Sequence, residues 1–491
     1  MRYLGGVVLA GLIAASQLLG TPAARAAIGP DQARELTTEL RDWLRDMAGP
    51  TATLPELTVT AEGDHYLLSV PAAALSGPNR DVTAKLRPLD GGRWAADDIR
   101  LPADANFIAK MPPRNGQTEP QELHFHLAIA GQDSHGVIDP TMATTSTVVT
   151  GLRGIALDTD GDGQHRTQRF DTYDQTLKVQ PNAAGKVDID EDGSAEGWKS
   201  AQELPDGRAM AVGAAKLSGT VRIVGLDRAQ AATLGPVLSA LSSATTPERN
   251  DRLRALVLAM HGLLSSVKFD ETIEGMQVAV AGQGNAAIDK LHVGFESATP
   301  DGNLATSLSL GVDGLVVPPI TPSAAALAPK HVKLGVSLAG VSVDGLNKLA
   351  LAALAPDADA GTLSPQIDAM FADPGHTGGP RVGIDTLAFD LGPAQFDGHG
   401  SVVAISQSDV RGTARVSVTG LDALMAKMQD DPQLQSVLPF VFLAKGMART
   451  EGSALIWDIV FTPTGLTVNG IDPRTMLGGQ QPKRGKPPTK P

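Results

Sequence analysis

The sequence predicts an α+β fold, mainly β, in which curved, mostly antiparallel sheets carry helix pairs packed on them and the arrangement is duplicated along the chain. The first observation behind this is period-two alternation. Leu123, Phe125, Leu127 and Ile129 alternate with Glu122, His124, His126 and Ala128, the pattern of a strand with one buried face. The second is composition: 42% of the 491 residues are hydrophobic but only 4% aromatic, so the interior must be built from Val, Leu, Ile and Ala in thin layers. Trp43, Trp94, Trp198 and Trp457 are then isolated large fillers. The third is an order of six elements that occurs twice.

Taken from the start, Leu36, Leu40, Trp43, Leu44 and Met47 fall at helical spacing between Pro30 and Gly49-Pro50, which predicts an amphipathic helix over 31–47. Leu291, Val293 and Phe295 lead into Pro300-Asp301-Gly302-Asn303, and Leu304, Leu308 and Leu310 lead out, a strand–turn–strand signal. Pro318, Pro319, Pro322 and Pro329 mark 316–329 as a linker or a sheet-edge crossing.

The repeated order is strand, Gly-Leu-Asp, helix, proline break, helix, strand. Its first copy runs from Val221–Val224 through Gly225-Leu226-Asp227, a helix interrupted at Gly235-Pro236, a second helix from Thr246-Pro247-Glu248, and a strand over 267–278. Its second runs from Val416–Thr419 through Gly420-Leu421-Asp422, a helix with Leu424, Met425 and Met428, a break at Asp430-Asp431-Pro432, a helix to Met447, and strands through Trp457 and Val468. Asp suits a helix N-cap and its positive end, and Pro at the first helical position costs no hydrogen bond. The copies divide the chain into a β-rich half with a helix pair at 27–268 and another at 269–477.

The ends read differently. Arg2, an apolar run from Leu4 to Ala15 and a small-residue stretch ending Ala24-Arg25-Ala26 form the pattern of a secretory signal, so residues 1–26 are expected to be removed and the rest to act in the periplasm. No later segment reaches the ~20 apolar residues of a membrane span, and Val437–Ala444 reads as a buried helix. Lys483, Arg484, Lys486 and Lys490 sit in a Pro- and Gly-rich tail, 478–491, expected to be disordered. The net charge of −13 argues against nucleic acid as a partner, and the absence of cysteine removes disulfides and thiolate chemistry.

The Phe396-Asp397-Gly398-His399-Gly400 turn, the strand Ser401–Ser406, the hairpin through Gly412, Arg415–Gly420 with its Leu421-Asp422 helix, and the closing Phe461–Gly470 together resemble a group of exported Gram-negative envelope proteins of unknown function, loosely similar to AsmA-like proteins. The resemblance covers roughly the last hundred residues and carries no catalytic positions. It implies long sheets with an apolar groove and a role in envelope lipid homeostasis, with a lipid or an envelope protein as partner.

The leading expectation is therefore a non-catalytic protein whose helix pairs line a groove for a lipid-like ligand or partner, through Leu253, Leu256, Val257, Met260 and Leu264 in the first copy and Leu434, Val437, Leu438, Phe440 and Phe442 in the second. Apolar helix faces usually just cover a sheet and form its core, which is the stronger reading of the same residues. The alternative is calcium binding at two acidic loops, Asp158, Asp160 and Asp162 before Gly163, and Asp188, Asp190 and Asp192 before Gly193, because alternate carboxylates followed by Gly can wrap a hard cation. The twelfth position of each loop holds Arg169 or Lys199 rather than an acid, and solvated hairpin turns use the same residues. His124 and His126 with His135 offer a zinc-like face, while His399 and His376 read as turn residues. A hydrolase ranks third: there is no G-x-S-x-G elbow, and acid pairs such as Asp385 with Asp390 or Glu122 with Asp139 could do general acid–base work, although sequence spacing does not fix their distance in space.

Overall fold

Ala33, Leu36 and Leu40 recur one helical turn apart and are buried, so the first element, helix α1 (Pro30–Ala48), lays one stripe on a sheet and turns Asp31 toward its positive end. The structure, a computed structural model, describes residues 28–476 apart from 49–55, 72–74, 77–80, 112–120, 140–143, 162–163, 183–184, 205, 243–245, 319–326, 356–357, 372–378, 407–408, 431 and 433. The signal-like segment 1–26, the tail 478–491, His376 and Asp162 lie outside the described residues, as do the side chains of Trp43, Leu44 and Met47. The fold is mainly β, 60% strand against 23% helix, and every described strand pairing is antiparallel, as the alternation predicts. Among the described residues no helix is long and apolar enough to cross a membrane.

The chain forms two compact units, residues 1–296 with 316–318, and 297–315 with 319–491. The boundary expected at 268/269 thus falls later, because strand pairing continues through the segment after the first helix pair.

In the first unit the strands are β1 (Thr58–Glu62), β2 (His65–Pro71), β3 (Leu75–Ser76), β4 (Asp81–Pro88), β5 (Trp94–Arg100), β6 (Asp104–Met111), β7 (Gln121–Asp139), β8 (Thr144–Gly161), β9 (Gln164–Pro181), β10 (Val187–Glu203), β11 (Ala209–Leu226), β12 (Ser266–Val280) and β13 (Gly284–Ala298). They pair in the order β1–β2–β4–β5–β7–β8–β9–β10–β11–β12, with β3–β6 against the first half of β7. The strand expected at 122–129 is therefore part of a 19-residue strand, roughly 60 Å long at about 3.3 Å per residue. The core lies where α1 covers Leu57, Leu68, Leu86 and Ile99, and it continues onto Leu127, Leu152, Ile155 and Phe170 of the long strands. Helices α2 (Arg228–Ser242) and α3 (Thr246–Met260) link β11 to β12. The interruption expected at Gly235-Pro236 does not occur; α2 passes through it. A proline ring clashes with the Cβ of the preceding residue, and Gly235 has none.

The second unit holds β14 (Asn303–Asp313), β15 (His331–Ser342), α4 (Val343–Ala353), α5 (Ala360–Phe371), β16 (Arg381–Leu391), β17 (Ala394–Ala404), β18 (Val410–Thr419), α6 (Leu421–Gln429), α7 (Leu438–Gly446), β19 (Arg449–Glu451), β20 (Ala454–Thr462), β21 (Gly465–Val468) and α8 (Pro473–Met476). Its sheet runs β14–β15–β16–β17–β18–β20–β21, with β19 folded back on β20. Residues 396–400, read as a turn, are interior to β17, and the reversal is made just before, at Gly392 with φ 56°. Its core gathers Leu424, Met425 and Met428 of α6 and Leu438 of α7 with Ala394, Val418 and Trp457 of the sheet.

The duplication is more extensive than expected. Strand, helix, helix, strand occurs at β11–α2–α3–β12, β15–α4–α5–β16 and β18–α6–α7–β19, so the second unit carries two helix pairs. Each copy has a glycine of positive φ at the strand's end, Gly225 (69°), Gly340 (74°) and Gly420 (71°), where a Cβ would run into Ser265, the Gly379 carbonyl or the Pro393 carbonyl. The middle copy escapes a Gly-Leu-Asp pattern because its cap is a serine: Gly345 N donates to Ser342 Oγ at 3.2 Å. Asp227 caps α2, receiving Gln230 N at 3.1 Å, whereas Asp422 makes no cap and pairs with Lys445 instead.

Candidate functional site

Three strands of the first unit share the motif apolar–x–Gly–apolar: Leu152-Arg153-Gly154-Ile155 on β8, Ala195-Glu196-Gly197-Trp198 on β10, and Ile273-Glu274-Gly275-Met276 on β12. Strict alternation would send the first and fourth residues to opposite faces. Gly154, Gly197 and Gly275 take φ of 58°, 65° and 62°, which resets the alternation so that both apolar residues reach the same face. The pairing register lines the three up in one transverse seam with Ala130, Asp171 and Ala215 between them, where a Cβ on Gly154 would lie 2.9 Å from Ala130 Cβ and one on Gly275 would lie 3.0 Å from Ala215 Cβ. On one side of the seam Leu152, Tyr173, Ala195, Leu217 and Ile273 form a cross-strand ladder; on the other Ile155 faces Phe170.

This doubled apolar row borders an open trough of about 320 Å³ on the sheet face, with Leu152, Phe170, Tyr173, Trp198, Leu217 and Phe269 along it. Its depth comes from a cross-strand pair without side chains, Gly193 opposite Gly219. The trough continues the apolar face of the core, since Ile155, Phe170 and Ala195 belong to both. Its polar groups are few: Glu191, Glu271, Gln168 and small hydroxyls, with no lysine, arginine or histidine among the lining residues. Gln175, buried, donates to Glu191 Oε1 at 2.6 Å. Burial first, and then the neighbouring Glu191 charge, push the Tyr173 phenol up to about 12.

The groove residues expected on the helix pairs lie elsewhere. Leu253, Leu256, Val257 and Leu264 are half-buried and Met260 is 58% exposed; none lines the trough. Leu438 is buried and Leu434 packs beside it in the second core, while Val437, Phe440 (71% exposed) and Phe442 (52%) face outward. Val437–Ala444 is thus no buried helix. Residues 437–444 are apolar on all sides, and only the stripe meeting the sheet is covered.

The acidic segments are not wrapping loops. Asp188, Asp190 and Asp192 sit inside β10, where alternate residues are about 6.6 Å apart and cannot close on one ion. Asp188 Oδ1 accepts from Asn182 Nδ2 at 3.0 Å and from Gly225 N at 2.8 Å, and Asp190 meets Arg222 at 3.3 Å. Asp158 and Asp160 lie on β8; Asp158 meets Arg169 at 3.3 Å and Asp160 meets His165 at 2.7 Å. His124, His126 and His135 share β7, with His126 near Asp104 at 3.3 Å and His135 about 30 Å farther along the strand. His399 belongs to β17 rather than a turn. Among the described residues no three His, Asp or Glu converge as a metal site would need.

The acid pairs are equally spread. Glu122 and Asp139 stand near opposite ends of β7, and Asp385 and Asp390 lie about 16 Å apart along β16. Asp385 accepts Ser337 Oγ at 2.9 Å, and Asp390 accepts the backbone N–H of Lys330 and His331 at 2.9 and 2.7 Å.

Among the described residues the trough joins apolar walls to a few placed polar groups, and none of the residues expected to form a site lines it. The apolar–x–Gly–apolar spacing marks Gly154, Gly197 and Gly275, but it also occurs at Val149-Thr150-Gly151-Leu152 and Ile223-Val224-Gly225-Leu226, so strand register is needed to locate the trough. Compared with protein-family models, curated proteins and solved structures, the chain matches none.

Proposed function

We propose that the protein is an exported, non-catalytic binding protein of the cell envelope that holds an apolar chain, lipid-like in character, along the trough of its first sheet. The observation that carries this is the hollow at Gly193 and Gly219, flanked by Leu152, Tyr173, Leu217 and Phe269. Large side chains there would have filled the face, as Leu and Phe fill the adjoining core, and leaving an apolar depression open to water is unfavourable by about 25 cal/mol per Å² unless something covers it. Pockets for small molecules share this make-up of apolar walls with few polar groups. The signal-like segment 1–26 supports the compartment.

The test is binding of the uncharged probe N-phenyl-1-naphthylamine to the full mature chain. Gly193→Val is the matched variant, because the nearest atom to a Cβ there is 3.9 Å away and the backbone is ordinary extended strand. The native chain is expected to bind the probe and the variant to lose at least about tenfold in affinity with an unchanged melting temperature. Equal binding by the two proteins overturns the trough as the site, and fractionation that leaves the protein in the cytosol overturns the compartment.

A further inference from the structure

The trough has an electrostatic sign. Glu191 and Glu271 both line it, and no cationic side chain does. Among the described residues neither carboxylate has an ion-pair partner; Glu191 is met by the neutral Gln175 amide at 2.6 Å. The two acids lie on neighbouring rows of the same face, beside the Gly193–Gly219 hollow, since Glu191 pairs with Val221 and Gly219 with Glu271. An anionic head group entering here would meet two like charges with no cation to offset them, in surroundings less polar than water, where charge interactions are stronger. A head group that donates hydrogen bonds and carries positive charge would find two acceptors.

From this charge arrangement, and resting on the trough as the binding site, we infer that the preferred occupant is a linear alkyl chain ending in an ammonium group, and that fatty-acid-like anions are disfavoured. The apolar walls take the chain, and Glu191 with Glu271 take the amine.

The experiment titrates the full mature chain at pH 7.4 and about 0.15 M salt with dodecylamine, dodecanol and dodecanoate, each below its micellar or solubility limit, by calorimetry. Dodecylamine is expected to bind at least about tenfold more tightly than dodecanoate, with dodecanol between them. The double variant Glu191→Gln, Glu271→Gln keeps the Gln175 hydrogen bond, and in it the amine-to-carboxylate ratio is expected to fall below about threefold. Equal affinity of dodecanoate and dodecylamine for the native chain overturns the inference and leaves the trough standing. A ratio that persists in the double variant also overturns it, because the preference then comes from the net charge of −13. If none of the three ligands binds, the trough reading itself fails.

Discussion

Gly197 on β10 stands directly across from Asp171 on β9, and a side chain at Gly197 would occupy the space of the Asp171 carboxylate. The same residue has φ 65°, so a substitution there meets both a steric and a backbone cost. Gly197→Ala is expected to destabilise the protein by about 2 kcal/mol in urea denaturation. Gly193→Ala, four residues earlier in the same strand without positive φ, is expected to be neutral or slightly stabilising. Equal midpoints for the two variants would remove the seam as a structural constraint.

Asn469 ties the end of the second unit together. Its Nδ2 donates to the carbonyls of Met447 at 2.7 Å and Ile456 at 2.9 Å, its Oδ1 accepts Asp458 N at 2.9 Å, and its φ is 50°. Asn469→Ala is expected to cost about 2–4 kcal/mol, because part-buried backbone groups lose partners and alanine resists the left-handed backbone. Asn469→Gly restores the backbone alone and should recover about 1 kcal/mol of that loss. Chemical denaturation of the three proteins orders them.

Tyr173 makes stability depend on alkaline pH. Its folded-state value of about 12 lies above the ordinary 10, so the neutral phenol favours the fold below pH 10, and the advantage is lost as pH rises from 10 to 12. The unfolded chain releases the proton first in that window, and the total effect is on the order of 2 kcal/mol. Tyr173→Phe should therefore show a shallower fall in stability between pH 10 and 12 than the native chain. Parallel curves would contradict the assigned burial.

Asp188 fastens β10 to the end of β11, its Oδ1 accepting from Gly225 N at 2.8 Å. Removing it leaves Gly225 N–H without its acceptor, so Asp188→Ala is expected to cost about 1–3 kcal/mol. The native melting temperature should be the same in calcium and in chelator. A rise in calcium that Asp188→Ala abolishes would restore the metal reading.

Much of the architecture was legible because its signals are local. Alternation at 122–129, the helix over 31–47 and the strand–helix–helix–strand order at Gly225 and Gly420 all depend on neighbours within a few residues. The third helix pair was hidden only by its Ser342 cap. The site was not legible in the same way. Apolar residues at α3 and α7 look identical whether a helix faces a ligand, a sheet or water, and Phe440 and Phe442 turn out to face water. Asp188–Gly193 has the composition of a turn, yet its register with β9 and β11 keeps it extended.

By itself, then, the amino-acid order determined a β-dominated chain with helix pairs inserted at glycine-marked strand ends, since backbone preference and side-chain periodicity act over one or two turns. Tertiary structure alone decided that Gly154, Gly197 and Gly275 stand in one line and that Gly193 meets Gly219. Those alignments are matters of strand register, where a slip of one residue would send every side chain to the other face, and register is set jointly by strands far apart in the sequence.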